Sequence, residues 1–455
     1  MGIGGIGMSG IAKILRQQGY TISGCDIDTD QSNITELKQL GCAISHGHNN
    51  PSCADPSISN IVYSSAVPHN HPELVAARSR GVPTIARAVM LGELMRTRYS
   101  IAVAGAHGKT TTTSLISHIL MHAGWDPTVI IGGKLKNIGS NAQLGHGDFI
   151  VAETDESDRS VARLAPTLGV LTNIDLEHLE TYKNIEEIKE TFIQFLSNIP
   201  FYGKAFVCHD NILVKNLAIP AHVKTISYSI DPASDIYARE LLLTPTHSQF
   251  QVTAFGEDLG SITVTLLGRH NVLNSLAACA VALDVGIPFG TIAHALAHFP
   301  GIERRFSFNG MYQGAEIFDD YGHHPTEIES TLTVARQRAK KKLIVVFQPH
   351  RYTRTHALWD DFVKTLSSAH IDQLFITDIH PASEAPIDTI TADRLTHDIT
   401  HYRADSANIT HYIPLDSSLE TLAQAVQKCA QPGDLILLLG AGKINKLAPI
   451  LLGKK

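Results

Sequence analysis

Residues 101–113 read I-A-V-A-G-A-H-G-K-T-T-T-T, an apolar run that passes into glycines, a lysine and four hydroxyl side chains. Backbone N–H groups in a glycine loop and at a helix start point toward anions, so this order suits phosphate. Lys109 can reach a terminal phosphate and the Thr110 hydroxyl a bound Mg2+. The candidate ATP contacts here are Gly105, Ala106, His107, Gly108, Lys109, Thr110 and Thr111. The string departs from G-x-x-x-x-G-K-[ST], because Val103 stands where the first glycine is expected.

Two acidic strings follow apolar runs. Residues 149–152 lead into E-T-D-E-S-D at 153–158, and residues 169–171 into T-N-I-D-L-E-H at 172–178. In a parallel sheet the carboxyl ends of neighbouring strands open onto one crevice, where a phosphate loop also lies. Carboxylates there hold Mg2+ through oxygen, and a histidine is a less usual further ligand. Asp155, Glu156 and Asp158 read equally well as helix caps or solvent-facing groups. Most of the 24 histidines, His46 and His48 among them, sit in polar, loop-like surroundings where solvation explains them.

A third string, G-I-G-G-I-G at residues 2–7, fits G-x-G-x-x-G and opens a helical pattern, with Asp26 about twenty residues on. Taken alone it suggests an NAD-dependent dehydrogenase. No strand precedes it after Met1, and an upstream start would supply one. Glycines, a helix start and a carboxylate suit the diphosphate and nucleoside of a UDP-linked substrate equally well. An ATP-driven mechanical protein is a third class, which the further motif-rich segments disfavour.

These strings need strands to hang from. Residues 21–25, 61–63 and 83–85 read as strands with helical patterns between them, the rhythm of βαβ units. A second block starts at 101–104 and continues through 149–152 and 169–171. Residues 236–267 carry β-type alternation and residues 271–285 a helix. After Pro300-Gly301 the alternation restarts at 343–347, 373–377 and 435–439. We read three α/β domains, 1–98, 99–298 and 299–455. A length of 455 residues suits that number. The formal charge of -7 gives no general attraction to nucleic acid. No apolar run approaches the roughly 18 to 20 residues that span a bilayer, and glycines interrupt any signal-peptide pattern. The cysteines (Cys25, Cys42, Cys53, Cys208, Cys279 and Cys429) form no C-x-x-C pair, as suits reduced thiols in cytoplasm.

Taken in order, the motifs resemble those of the Mur ligases of bacterial cell-wall synthesis along essentially the whole chain. The resemblance rests on G-I-G-G-I-G-M-S-G-I-A at 2–12, V-Y-S-S-A-V at 62–67, H-G-K-T-T-T-T at 107–113 and G-R-H-N-V-L-N at 268–274. It continues with R-R-F at 304–306, D-D-Y-G-H-H-P-T-E-I at 319–328 and F-Q-P-H-R-Y-T-R-T at 347–355. Ala106 and Thr154 depart from the family pattern, as does the missing first strand, which puts sheet integrity in question.

The resemblance implies a Rossmann-like N-terminal UDP-sugar domain, a central P-loop ATPase-like domain and a Rossmann-like C-terminal domain that closes over the site. It implies that L-alanine is joined to the lactyl carboxylate of UDP-N-acetylmuramate with ATP and Mg2+. Lys109 and Thr110 then serve the phosphates and Mg2+, and Glu153 and His178 bind metal. Asn271 contacts adenine, Tyr321 packs against the base, and Arg305 and Asp320 complete the ATP site. Gly4, Gly5, Ile6, Gly7, Asp26, Ser64 and Ser65 take the UDP-sugar. His323, Arg351 and Arg354 face the amino acid, with His323 the candidate base. If R-Y-T-R at 351–354 starts a helix, both guanidinium groups lie on one face and converge on one carboxylate.

Overall fold

The computed structural model describes residues 1–47, 55–136, 138–382, 384–403, 409–416 and 418–453; His48 and Cys53 lie outside the described residues. Near the N-terminus two parallel strand pairs form, Ser23–Asp26 with Ala43–His46 and Ile61–Tyr63 with Thr84–Ala86. Residues 1–3 run between the pairs. Gly2 N and Ile3 N donate to Cys25 O at 2.9 and 3.2 Å, the Met1 amino group to Val62 O at 2.7 Å, and Ser64 N to Met1 O at 3.1 Å. The expected break in the sheet is therefore bridged by backbone hydrogen bonds.

Helix Ile6–Gln17 follows and buries Ile11 and Ile14 in the same core as Ile130 and Ala142 of the next sheet. Lys13 on that helix is 2% exposed. A buried ammonium needs acceptors. It donates to Asn141 Oδ1 at 2.6 Å and Ser140 Oγ at 3.0 Å and pairs with Glu36. Asn141 Nδ2 in turn donates to Ile6 O at 2.6 Å. Polar and apolar contacts together fix the N-terminal region to the sheet beside it.

A ten-stranded sheet occupies the centre of the chain. Tyr99–Ala104 lies between Phe149–Glu153 and Leu168–Leu171, parallel to both, so the phosphate loop and both acidic strings leave the sheet side by side. The expected β alternation is three antiparallel strands, Ile236–Leu243, Ser248–Ala254 and Glu257–Val264. Helices Lys109–His122 and Arg269–Asp284 share one core through Leu115, Ile119, Leu276 and Cys279. In helix Ile185–Ser197, Ile188, Phe192 and Phe195 recur at helical spacing and face the opposite core. Asn184 caps that helix by accepting from Glu187 N at 3.0 Å.

The last sheet has six strands. Its Leu343–Phe347 and Leu435–Leu439 pair in parallel and are wholly buried, as continuous apolar runs in such a sheet require. Helix Pro325–Arg338 opens with proline in its first turn and a capping box: Thr326 N donates to His324 Nδ1, and His324 N to Glu327 Oε2. The R-Y-T-R expectation needs correction. The helix is Tyr352–Ala357, and Arg351 is its cap at φ 70°, outside the helical region.

Candidate active site

The phosphate loop is a tight four-residue link, Gly105 to Gly108, between strand and helix. Both glycines have positive φ, 130° and 80°, and a Cβ on Gly105 would lie 2.2 Å from Thr172 Oγ1. Val103 is instead a fully buried strand residue, so the turn starts two residues later than the usual pattern. Asn173 holds the loop: its side chain accepts from His107 N at 2.8 Å and its carbonyl from Ala106 N at 3.2 Å. Lys109 Nζ donates to Gly105 O (2.5 Å), Ala106 O (2.9 Å) and Glu156 Oε1 (2.7 Å). Burial alone would lower its pKa, but Glu156 and then Glu177 push it above the ordinary lysine value.

Thr110 Oγ1 donates to Glu153 Oε1 at 2.9 Å, and Gly132 N donates to Glu153 Oε2 at 2.6 Å. Burial raises the Glu153 pKa despite Lys109 nearby. His178 belongs to a neighbouring group. Its Nε2 lies 3.5 Å from Glu156 Oε1 and 3.8 Å from Glu177 Oε2, and its Nδ1 lies 3.6 Å from Glu180 Oε1. Burial opposes its protonation, yet these carboxylates push its pKa up to about 10. Glu156, Glu177 and His178 bring one ligand atom each within 4.8 Å of one another, and Glu156 Oε2 is buried with no hydrogen-bond partner. An unpaired carboxylate oxygen there fits a divalent cation. Thr110 and Glu153 thus form one half of the expected metal set, while His178 sits with Glu156 and Glu177. Asp155 instead pairs with Arg87 at 2.9 Å, and Asp158 accepts from Ser160 N as a local cap.

Beside the loop lies a cavity of about 370 Å³ between the central and C-terminal sheets. His107, Thr111, His270 and Asn271 line one side, and Arg305, Asp320 and Glu327 the other. Asn271 Nδ2 donates to Leu267 O at 2.8 Å. His270 stands beside it and is exposed to that space. Asp320 accepts from Phe306 N at 2.7 Å and Gly322 N at 2.8 Å, which ties the cavity wall to its own turn. Tyr321 is not on that wall. The Arg304 and Arg305 guanidinium carbons lie 4.8 and 5.4 Å from its ring centroid, so it supports the arginines where base packing was expected.

His107 of the loop faces both a central-sheet carboxylate and one on the C-terminal helix Pro325–Arg338. His107 Nε2 is 2.8 Å from Asp175 Oδ2 and its Nδ1 3.3 Å from Glu327 Oε1. Burial disfavours the charged ring, but these carboxylates push its pKa up to about 10; burial likewise disfavours the charged Asp175, but His107 draws its pKa down to about 2. His323 Nδ1 is 3.0 Å from Tyr321 O, which leaves Nε2 turned toward Glu177 Oε1 at 3.7 Å. The arginines diverge. Arg351 Nη1 donates to Glu180 Oε1 at 3.2 Å, whereas Arg354 Nη2 donates to Glu177 Oε1 at 3.2 Å. They meet one acidic segment at two carboxylates, where one shared anion was expected.

At the N-terminal glycines, Gly4 N donates to Asp26 Oδ2 at 2.7 Å and Asp28 N to Asp26 Oδ1 at 3.0 Å. Asp26 is buried and its carboxylate braces the loop. Gly5, Ile6 and Gly7 turn from that loop into the first helix, whose cap is Gly5. Ser64, followed by Ser65, stands at the end of the neighbouring strand, and a Cβ on Gly2 would meet Ser64 Cβ at 3.0 Å. Asp26 thus braces the glycine turn at Gly4, and Ser64 packs against its start at Gly2. Sequence reasoning missed Glu177 and Glu327, although both stand in strings read for their neighbours, E-H and H-P-T-E.

Residues 1–99 match the Mur ligase family, catalytic domain; residues 103–282 the Mur ligase middle domain; and residues 304–442 the Mur ligase glutamate ligase domain. The chain is 46% identical over 455 residues to the UDP-N-acetylmuramate–L-alanine ligase of Syntrophus aciditrophicus, covering 100% of this chain and 92% of that protein. It is 47% identical over 446 residues to the ligase of the same name from Desulfotalea psychrophila, covering 98% and 95%. A crystal structure of UDP-N-acetylmuramate–alanine ligase from Thermotoga maritima superposes with a TM-score of 0.82 at 25% identity, over 99% of this chain and 97% of that one. Among the described residues no helix is long and apolar enough to cross a membrane. Matches to all three segments and similarity along the full length lead to one conclusion: this chain belongs to the Mur ligase family.

Proposed function

We propose that the protein joins L-alanine to the lactyl carboxylate of UDP-N-acetylmuramate at the expense of ATP, a step of peptidoglycan synthesis in the cytoplasm. Residues 1–98 take the UDP-sugar, 99–298 the ATP and 299–455 the amino acid. One observation carries this reading: the phosphate-loop lysine and the Arg351/Arg354 pair face the same acidic segment, through Glu177 and Glu180. This supports a phosphoryl donor and a small carboxylate meeting at one place. The names of the full-length relatives supply the substrates.

A carboxylate is a poor electrophile because its leaving group would be oxide. Its oxygen attacks the γ-phosphorus of ATP, the bond to the β-phosphate oxygen breaks, and an acyl phosphate and ADP result. Lys109 and Arg305 stabilise the charge on the transferring oxygens. His323 Nε2 takes a proton from the alanine ammonium, the freed amine attacks the acyl carbon, and inorganic phosphate leaves as the amide forms. Thr110, Glu153, Glu156 and His178 are the residues that would hold Mg2+, which when bound neutralises phosphate oxygens. Closure of the C-terminal sheet over the loop, through His107 and Arg354, excludes water that would hydrolyse the acyl phosphate. Asn271 and His270 serve the adenine side of the cavity.

Phosphate release from ATP is expected to require both UDP-N-acetylmuramate and L-alanine. Release that ignores either one overturns the assignment, and nicotinamide turnover without ATP would restore the dehydrogenase reading.

A further inference from the structure

Helices Lys109–His122 and Phe289–Ala297 pack side by side, and each presents two histidines four residues apart: His118 and His122, then His294 and the capping His298. Four residues is about one helical turn, so each pair shares a face. The rings form a ladder. Successive centroids from His118 through His122 and His294 to His298 are 6.3, 4.9 and 4.2 Å apart, with planes inclined by 29°, 28° and 28°. At its middle, His122 Nε2 and His294 Nδ1 lie 2.9 Å apart.

The outer rings are oriented by backbone. His118 Nε2 is 3.0 Å from Ala295 O, and His298 Nδ1 is 2.8 Å from His294 O. A ring nitrogen facing a carbonyl carries the proton, which leaves lone pairs on His118 Nδ1 and His298 Nε2. His118 Nδ1 is buried with no hydrogen-bond partner. Imidazoles oriented through one nitrogen by a carbonyl, with the other nitrogen free, are arranged as metal ligands are.

We propose that this ladder is a binding site for a borderline transition-metal dication of the Zn2+, Ni2+ and Cu2+ class, with His122 Nε2 and His294 Nδ1 as its protein ligands. Zinc–nitrogen bonds of about 2.0 to 2.1 Å put two ligand nitrogens on one ion about 3 to 3.4 Å apart, so a small ring rotation accommodates the ion. The metal replaces the proton shared between the two central nitrogens, and water completes its coordination. An all-imidazole donor set favours these ions over Mg2+, which prefers oxygen. The site lies at the far end of the 14-residue helix that starts at Lys109, roughly 20 Å from the phosphate loop at 1.5 Å per residue.

The test is calorimetric titration of the full chain with Zn2+ in excess Mg2+, for the wild type and for H122A/H294A. His122 and His294 are exposed, so this variant keeps the fold, as circular dichroism checks. The wild type is expected to bind one more equivalent of Zn2+ than the double variant. Cu2+-loaded wild type is expected to show nitrogen superhyperfine structure in its EPR spectrum that H122A/H294A lacks. Equal stoichiometry in wild type and double variant overturns the site.

Discussion

Arg354 Nη2 donates to Glu177 Oε1 at 3.2 Å across the boundary between the C-terminal and central sheets, and both side chains are about nine-tenths buried. Glu177 also faces His323 and His178, so one carboxylate ties the C-terminal body to the acidic cluster beside the phosphate loop. An amino-acid carboxylate entering here competes with Glu177 for the guanidinium fork. Replacing Arg354 with lysine keeps the charge and loses the fork. We expect kcat/KM for L-alanine to fall about tenfold to a hundredfold, the equivalent of a charge-assisted hydrogen bond of about 1.5 to 3 kcal/mol. Steady-state kinetics with each substrate varied will check this. A defect confined to ATP would assign the arginine to the nucleotide.

Lys109→Ala is expected to lower kcat by at least about 10²- to 10³-fold, because it removes positive charge from the phosphoryl-transfer site. It also leaves Glu156 buried without its lysine, which costs stability. Adding Glu156→Gln restores the melting temperature and leaves activity lost. Near-wild-type turnover in the single variant would contradict the ATP assignment.

Glu153→Gln and His178→Ala should each shift the Mg2+ titration of activity to higher concentration, by about 10- to 100-fold if they hold the ion or its ligands. His178 sits at φ 55°, a conformation held by its surroundings. Unchanged titration midpoints in both variants would remove them from the metal site.

The His107 contacts with Asp175 and Glu327 predict a pH signature. Its pKa in the folded chain, about 10, lies above the ordinary 6.5. The stabilisation is thus complete below about 6.5 and is lost as pH rises through about 10. His107→Gln should therefore lower stability by about 1.5 to 3 kcal/mol near pH 6. The gap to wild type should narrow toward pH 10. Thermal unfolding across that range decides it, and a gap that widens with pH reverses the assigned charge.

The strands at 61–63, 343–347 and 435–439 were legible because an apolar run bounded by turn residues has few other solutions in a parallel sheet. The phosphate loop was legible for the same local reason. Glu156 was not separable from Asp155 and Asp158 in E-T-D-E-S-D, because only tertiary placement sends one to Lys109, one to Arg87 and one to a turn. Arg351 was misread as helical because positive φ in a non-glycine residue leaves no mark in composition. Tyr321 illustrates a third limit: the arginines that cover it, Arg304 and Arg305, stand a hairpin away in sequence, and which ring they cover belongs to the fold.

The cavity has His270 and Asn271 of helix Arg269–Asp284 on one wall and Glu327 and Val334 of helix Pro325–Arg338 on the other, so the central and C-terminal parts of the chain each supply one side. On the proposed function, a spent nucleotide held there would depart only when those two walls part, and its release is expected to set the pace of the cycle. Turnover should then slow in proportion to solvent viscosity as sucrose is added, while the chemical step followed in a single turnover keeps its rate.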